Sequence, residues 1–295
     1  MAFIEFSDLP AAQKQNWLLH AVAPRPIALA STIDENGNAN LSPFSFFNAF
    51  SSNPPIIIFS TAKRVRNNTY KHTHDNILQT KEVVVNICDY DIVQQMSLSS
   101  CEFSAGVDEF IKAGFTKENA RRVKPFLVKE AKIKMECKVL ELKSLGDEGG
   151  AGQLVIAEVL CMHVNDEILN VEKTMIDQLK MHHIARLGGD WYSVINDQSL
   201  FKVSKPNIKL AIGFDALPQH ILNSKILTAN NLGQLANVHE LPEINVQFED
   251  DMLKNIFQYY SINPDEMETE IHLYAKKLLD ENKIDEAWQV LLTIE

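Results

Sequence analysis

The chain has 295 residues, 45% of them hydrophobic and 23% charged, which predicts a globular protein with room for a main domain and a smaller second unit. Its formal net charge is −11, which argues against nucleic-acid binding, because that function needs cations clustered over a broad face. No basic leader precedes an apolar segment at the start, and no run of about 18 uncharged apolar residues occurs, so we expect neither a signal peptide nor a membrane span.

Strands are predicted by segments that are rich in Val, Ile, Leu and aromatic residues and bounded by Gly, Pro, Asn or Asp. In chain order these segments are Ile27–Ile33, Ile56–Ser60, Val83–Ile87, Ala131–Leu142, Gln153–Val164 and Trp191–Ile195. The pair Asn36-Gly37 follows the first segment and predicts a hairpin turn. The glycine-rich residues 146–152 also predict a turn, because they lack the Gly-x-Gly-x-x-Gly order of a phosphate-binding loop.

Helical periodicity predicts short helices between and around these strands. They are Asp8–Leu19, Thr73–Thr80, Asp91–Ser99, Thr116–Ala120 and Val171–Ile184. Antiparallel strands with short helices packed outside them indicate a mainly β fold, most simply a closed barrel of Greek-key type.

The chain changes character after residue 205, so we predict a domain over 1–205 and a mostly helical C-terminal extension over 206–295. The extension carries 15 acidic and 6 basic residues. Its predicted helices are Phe214–Leu222, Leu227–Val238, Asp250–Tyr260, Glu266–Asn282 and Asp285–Thr293, with Asp265 and Asp285 as start signals. Ala275, Leu279, Ala287 and Leu291 predict that the last two helices pair as a hairpin. We expect this extension to serve as a structural cap or dimer-facing element, or else as a module that docks a partner.

The four cysteines, Cys88, Cys101, Cys137 and Cys161, form no Cys-x-x-Cys pair. We predict buried, reduced thiols and a cytoplasmic protein.

Several motifs occur in a fixed order between about Trp17 and about Pro206. They are Pro24-Arg25-Pro26-Ile27-Ala28-Leu29-Ala30-Ser31-Thr32, Asn40-Leu41-Ser42-Pro43-Phe44-Ser45-Phe46-Phe47-Asn48, Asn53-Pro54-Pro55-Ile56-Ile57-Ile58-Phe59-Ser60-Thr61 and Arg186-Leu187-Gly188-Gly189-Asp190-Trp191-Tyr192. Together they resemble the flavin reductase-like family of the FMN-binding split barrel. The resemblance implies a split β-barrel that binds FMN, with FAD as an alternative.

A phosphate site is predicted in a basic stretch that follows the strand Ile56–Ser60. Lys63, Arg64, Arg66, Lys71, His72 and His74 occur there without an acidic residue before Asp75. Lys71-His72-Thr73 resembles the Lys-Asp-Thr segment of the family, from which His72 departs. The resemblance therefore makes Lys71 and Thr73 phosphate ligands, and it leaves the choice between Arg64 and Arg66 open.

The flavin ring is expected to contact the ends of the first two motifs. Ser31 and Thr32 would present amides and hydroxyls to the ring edge, and the candidate contacts of the second motif are Asn40, Ser42, Ser45 and Phe46. Strand alternation would place Ser45 and Phe47 on one face and Phe44 and Phe46 on the other, so that not all of them could contact one ligand.

The last motif adds Arg186 as a further cation, with Trp191 and Tyr192 as candidate substrate contacts beside it. His163, near the end of the strand Gln153–Val164, is a third candidate for contact with substrate or flavin. We predict no metal site, because neither His182-His183 nor His72 and His74 has a cysteine or carboxylate in the pattern of a zinc site. A serine hydrolase is also not indicated, because no Gly-x-Ser-x-Gly occurs.

The resemblance implies an FMN-dependent oxidoreductase that takes hydride from NADH or NADPH and passes electrons to free flavin, a ferric complex or a partner oxygenase. Such a reaction needs positioning rather than an acid or base, so no catalytic residue is assigned. Two alternatives stay open: a flavin-binding electron carrier that does not meet nicotinamide, and an enzyme like pyridoxamine-phosphate oxidase. The resemblance also implies a homodimer whose subunits complete the pocket together.

Overall fold

The computed structural model describes residues 1–104, 106–205 and 209–294. The chain divides into two compact units, Met1–Leu200 and Phe201–Glu295. The boundary expected from the sequence falls a few residues later, and Pro206 lies outside the described residues.

The first unit is built on a seven-stranded sheet in which every pair of neighbours is antiparallel. Its strands are β1 (Ala28–Ile33), β2 (Ala39–Phe44), β3 (Phe47–Ser52), β4 (Pro55–Ser60), β5 (Glu82–Ile87), β8 (Ile133–Ser144) and β9 (Gln153–Val164). Their spatial order is β2-β1-β5-β8-β9-β4-β3. Two small antiparallel sheets pair β6 (Lys117–Glu118) with β7 (Leu127–Val128), and β10 (Ile184–Arg186) with β11 (Tyr192–Val194). All six predicted strand segments are confirmed.

The hairpin between β1 and β2 is confirmed at Asn36-Gly37. Gly37 has a φ of +82°, which glycine adopts without a steric penalty. The Asp34 carboxylate accepts hydrogen bonds from the amides of Asn36 and Asn38 at 2.9 and 2.8 Å, which fixes the turn. The predicted turn at 146–152 is likewise confirmed between β8 and β9.

Strand β1 is buried on both faces, which explains its apolar sequence. Ala28 and Ala30 pack into a cluster with Phe59 and Val85. Leu29 points to the opposite face, into a cluster that includes Leu41, Met96 and Phe110. The side chains that flank the candidate site therefore belong to a closely packed core.

The helices of the first unit are short. They are α1 (Ala11–Ala21), α2 (His72–Thr80), α3 (Val93–Leu98), α4 (Glu109–Ala113) and α5 (Gln178–Met181). The first three correspond to predicted helices.

Two predicted helices are wrong. Residues 116–120 contain β6 instead, because Gly114 ends α4 with a φ of +70° and the amide of Thr116 donates to the Glu130 carboxylate. Within Val171–Ile184, only α5 is helical, and Ile184 begins β10. The Asn170 side chain accepts hydrogen bonds from the amides of Thr174 and Met175, so a local loop competes with the helix.

The cysteine prediction is confirmed in part. All four cysteines are free, and Cys88 and Cys137 are buried. Cys161 is half-buried and Cys101 is exposed, so the expectation of burial is wrong for Cys101.

Within residues 201–205 and 209–294, the regular secondary structure of the second unit is helical. Its α-helices are α6 (Gln219–Leu222), α7 (Ala229–Ala236), α8 (Asp251–Tyr260), α9 (Pro264–Asp280) and α10 (Ile284–Leu291). The hairpin of α9 and α10 is confirmed, and Ala275, Leu279, Ala287 and Leu291 are all buried in one cluster around Trp288. Asn263 rather than Asp265 caps α9, since its side chain accepts from the amide of Glu266 and Pro264 begins the helix.

Across the residues that the structure describes, we find no helix that combines the length and the apolar character needed to cross a bilayer.

A buried histidine makes the second unit sensitive to acid. His272 accepts a hydrogen bond at Nδ1 from Ser224 Oγ, 2.8 Å away, because that oxygen already accepts from the amides of Ile226 and Leu227. Burial lowers the pKa of His272 below its ordinary value of 6.5; the nearby Glu268 opposes this shift and His220 adds to it. The neutral imidazole is thus the form compatible with folding.

We therefore expect the stability of the second unit to be full above pH 6.5 and to fall as the pH decreases below that value, since the unfolded state then binds the proton more readily. Chemical unfolding followed by circular dichroism at several pH values measures this dependence. The variant His272→Gln should lose the dependence; an unchanged profile would contradict this role of His272.

Candidate functional site

The start of α2 is suited to binding an anion. Lys71 is its N-cap residue, and the Lys71 side chain makes no cap hydrogen bond. The first amides of a helix lack partners within the helix and carry a partial positive charge. This end of α2 therefore offers both backbone donors and the charge that a phosphate requires.

A buried polar network fixes two predicted ligands at this helix end. The Asn40 amide nitrogen donates to Thr73 Oγ1 at 2.9 Å and lies 3.3 Å from Thr32 Oγ1. Asn76 donates to the same Thr32 oxygen at 3.1 Å. The hydroxyl of Thr32 therefore fixes Asn40 and Asn76. Asn40 in turn fixes Thr73, and both Asn40 and Thr73 line a cavity.

That cavity, which we call the first cavity, has a volume of about 350 Å³. It brings together six predicted residues, namely Asn40, Ser42, Arg64, Arg66, Lys71 and Thr73. The segment between α3 and α4 forms the opposite wall with Ser100, Cys101 and Glu102, and Glu109 lies at the start of α4.

Arg64 and Arg66 both contact Glu102, at 2.5 Å each. Their surroundings otherwise differ. The Arg64 side chain is only 19% exposed and also donates to Thr69 Oγ1 at 3.0 Å and to the carbonyl of Tyr70. The Arg66 side chain is 73% exposed. Arg64 is therefore the better positioned of the two for a phosphate, because its orientation is fixed before a ligand arrives.

Lys71 would gain from an anion beside it. Burial lowers its pKa, and the positive charge of Arg64 lowers it further, whereas Glu102 raises it. Its Nζ lies 4.8 Å above the centre of the Phe44 ring. A second anion in the first cavity would favour the charged form of Lys71.

A second cavity of about 350 Å³ adjoins the first, and both are lined by Arg64, Val65 and Lys71. Phe44, Ser45 and Phe46 all line the second cavity. The expected alternation along this segment is therefore wrong, because β2 ends at Phe44 and the chain bends at Ser45 and Phe46 before β3 begins. Phe44 also belongs to the core, 5.4 Å from the ring of Phe59.

The second cavity is strongly cationic. Its lining contains Arg25, Lys63, Arg64, Lys71 and Arg186, and no Asp or Glu from the described part of the chain. The protein as a whole has a charge of −11. A concentration of cations against that background points to an anionic ligand.

Arg25 ties three parts of this lining together. It is 5% exposed, and its guanidinium donates to the carbonyls of Leu19, Val22 and Leu187. A Cβ on Gly188, next to Leu187, would lie 2.1 Å from the ring of His20, so a larger residue there would require this exposed histidine to move. Burial, and then the charge of Arg186, lower the pKa of Arg25.

The glycine-rich turn supports the basic stretch. Lys63 exchanges backbone hydrogen bonds with Gly150 and Ala151 at 3.0 Å, and its Nζ donates to the Asp147 carbonyl at 2.8 Å. A Cβ on Gly149 would lie 2.8 Å from the carbonyl oxygen of Val65. The turn thus holds the stretch in place by close backbone approach.

Several predicted residues are not brought into these two cavities. Ser31 and Thr32 are fully buried within β1, and Thr32 acts through Asn40. Trp191 is 75% exposed. The Tyr192 ring lies 4.5 Å from the Arg186 guanidinium and lines a separate cavity with it.

His163 is engaged elsewhere on the sheet. Its Nε2 lies 2.6 Å from the carboxylate of Glu136, which is fully buried and also accepts hydrogen bonds from the amides of Arg121, Arg122 and Val123. Cys161 completes a cluster whose ligand atoms lie within 4.8 Å of one another. Both Glu136 oxygens already accept hydrogen bonds, so the cluster anchors residues 121–123 to the sheet.

Glu136 should make the fold sensitive to strong acid. Although burial raises its pKa, the amide hydrogen bonds and His163 outweigh burial and lower it to about 2. The stability from this carboxylate is thus present above its ordinary pKa of 4.5 and is lost as the pH falls toward about 2. We expect Glu136→Gln to cost about 1–3 kcal/mol at neutral pH.

The free energy of unfolding, measured in denaturant at neutral and acidic pH, checks this expectation. Glu118→Gln is a suitable control, because Glu118 pairs with a basic side chain, Lys134, and is 48% exposed, whereas the Glu136 side chain is buried. Equal stability of Glu136→Gln and the parent at neutral pH would contradict the anchoring role.

The chain matches the model of the flavin reductase like domain over residues 20–180. A curated protein from Aquifex aeolicus is 39% identical over 175 residues, which span 59% of this chain and 86% of that protein. The chain therefore belongs to the flavin reductase-like family. The second unit lies outside the residues matched by the family model.

Solved structures support the same fold. Nitrilotriacetate monooxygenase component B from Bacillus cereus is 26% identical, with a TM-score of 0.64 over 69% of this chain and 98% of that one. A split barrel protein from Shewanella frigidimarina NCIMB 400 is 24% identical, with a TM-score of 0.58 over 68% of this chain and 95% of that one. The first unit is thus a split β-barrel, and the predicted fold class, with its helical extension, is confirmed.

Sequence reasoning missed several residues of the two cavities. Glu102 and Glu109 come from the segment around α4, which carried no motif. Arg25 stood within a quoted motif, and its position between two prolines could have drawn attention to it. Lys63 belonged to the basic stretch, but was not among the selected ligands.

Proposed function

We propose that the protein binds FMN across the two adjoining cavities and is reduced there by NADH or NADPH. One observation carries this proposal. The first cavity, at the cationic start of α2, and the second cavity, which is lined by aromatic and cationic side chains, share the lining residues Arg64 and Lys71. A flavin mononucleotide has the same two parts, a phosphate and a planar ring.

The residues fit such a ligand. Thr73, Lys71 and Arg64 would hold the phosphate at the start of α2, and Asn40 and Ser42 would face the chain that joins phosphate to ring. Ser45, Phe46 and Arg186 would contact the ring. When bound, the flavin supplies the hydride chemistry; the protein orients the reactants and excludes water.

The electron acceptor that we propose is free flavin or a partner oxygenase. The similarity to component B of a monooxygenase favours a two-component arrangement. A ferric complex is a further acceptor, and FAD is an alternative flavin. The electron carrier and the enzyme like pyridoxamine-phosphate oxidase remain alternatives, which turnover of NAD(P)H and formation of pyridoxal phosphate would respectively distinguish.

We also propose a homodimer in the cytoplasm. Phe50 on β3, at the edge of the sheet, is 63% exposed, and Trp191 is 75% exposed, and large exposed aromatic side chains are enriched at protein interfaces. A monomeric mass in light scattering, with flavin bound, would contradict this proposal.

Steady-state kinetics tests the function. With free FMN or FAD and air, we expect oxidation of NADH or NADPH that depends on the amount of protein, and the ratio of the two rates identifies the preferred donor. No oxidation with either nucleotide, from protein that binds flavin, would favour the carrier.

A further inference from the structure

Glu102 places a carboxylate where the first cavity would receive a phosphate. Its two oxygens bridge Arg64 Nε and Arg66 Nη2, each at 2.5 Å. Lys71 also responds to it, since the charge of Glu102 raises the lysine pKa. One acidic side chain thus contacts or influences each of the three cations that line the first cavity.

We propose that Glu102 is an internal counter-ion that competes with the flavin phosphate, so that bound flavin stays exchangeable. The inference rests on the proposed function and concerns how tightly the same site holds its ligand. Weakened binding suits a flavin that is released after reduction, because a permanently bound cofactor could not carry electrons to a separate acceptor.

The contacts indicate that Glu102 can leave without disturbing the site. The Glu102 side chain is 40% exposed, and the side chain of its partner Arg66 is 73% exposed. Ion pairs between exposed side chains are weak. Arg64 keeps its orientation through Thr69 and the Tyr70 carbonyl. The cation would therefore remain in place for a phosphate after the carboxylate has moved away.

Glu109, the other acidic residue of the first cavity, has a different role. It is 5% exposed, and its carboxylate accepts a hydrogen bond from the amide of Leu41 at 3.1 Å. Burial raises its pKa. Because Glu109 is fixed to β2, it is a poor candidate for a movable competitor. The ion pairs of Glu102 with described residues are instead to Arg64 and Arg66.

The competition predicts a selective effect. If the site is free of Glu102 in only about a tenth of the molecules, the apparent dissociation constant is raised about tenfold. Removing the carboxylate should lower that constant for FMN. Riboflavin carries no phosphate, so its dissociation constant should stay unchanged.

Flavin fluorescence titrations of the full-length parent, Glu102→Gln and Glu102→Ala test this. We expect both variants to bind FMN about tenfold more tightly than the parent does and to bind riboflavin as the parent does. The difference in FMN affinity should shrink at high ionic strength, where the exposed ion pairs of Glu102 with Arg64 and Arg66 are screened. Glu118→Gln, which removes a carboxylate outside the cavities, should change neither constant.

Weaker or unchanged FMN binding in the Glu102 variants, or an equal gain for riboflavin, would overturn the proposal. If the parent and all variants bind no flavin, the proposed function fails, and titration with inorganic phosphate then decides the role of Glu102. Tighter binding of phosphate by Glu102→Gln than by the parent would support a counter-ion; equal binding would overturn it.

Discussion

Replacing Lys71 with alanine is expected to weaken FMN binding by about one to two orders of magnitude, the usual effect of losing a charge-assisted hydrogen bond. Lys71 lines both cavities and directly precedes α2, whose first amides attract an anion. Burial and then the charge of Arg64 lower its pKa, whereas Glu102 raises it; a bound phosphate would favour the charged form further.

The measurement is an FMN titration of Lys71→Ala beside Lys138→Ala, a variant of an exposed lysine on β8. Riboflavin serves as the ligand without a phosphate, and its affinity should change much less. An FMN dissociation constant equal to that of the parent would remove Lys71 from the site.

Trp288→Ala is expected to cost the second unit about 3–5 kcal/mol, as is usual when a large buried aromatic side chain is truncated. Trp288 is fully buried at the centre of the helical cluster, among Leu235, Ile271 and Leu279. A loss of this size is comparable with the whole stability of a small domain. The extension should therefore unfold at much lower denaturant concentration.

Circular dichroism and flavin binding, followed together in denaturant, test whether the two units are separate domains, as we propose. In Trp288→Ala, helix should be lost first while flavin binding persists. Leu273→Ala is the matched control, since Leu273 lies on α9 but is 43% exposed; it should change stability by about 0.5 kcal/mol or less. Loss of helix and flavin in one transition would contradict separate domains.

Sequence predicted the strands well because their signal is local. Strand β1 is apolar throughout since both of its faces are buried, and Asn36-Gly37 specifies its turn. The helix predicted over residues 171–184 is wrong because the Asn170 side chain accepts hydrogen bonds from the amides of Thr174 and Met175. Competition of this kind depends on side-chain geometry, which periodicity does not contain.

The candidate site shows the same division. Arg64, Lys71 and Thr73 are close in sequence, so a basic stretch was enough to suggest them. Glu102 reaches Arg64 and Arg66 from another segment, and Arg25 meets the Leu187 carbonyl across the chain. Such contacts arise only from the folded arrangement, and so these two residues were not selected as ligands.

The most direct test of the central claim is the absorbance spectrum of the purified protein with FMN, recorded before and after NADH or NADPH is added without oxygen. We predict a flavin band that travels with the protein and bleaches when the nucleotide is added. A band that persists with both nucleotides would contradict a nicotinamide-dependent enzyme and favour a carrier, and the absence of a flavin band from the protein fraction, with all of the FMN separating from the protein, would contradict flavin binding itself.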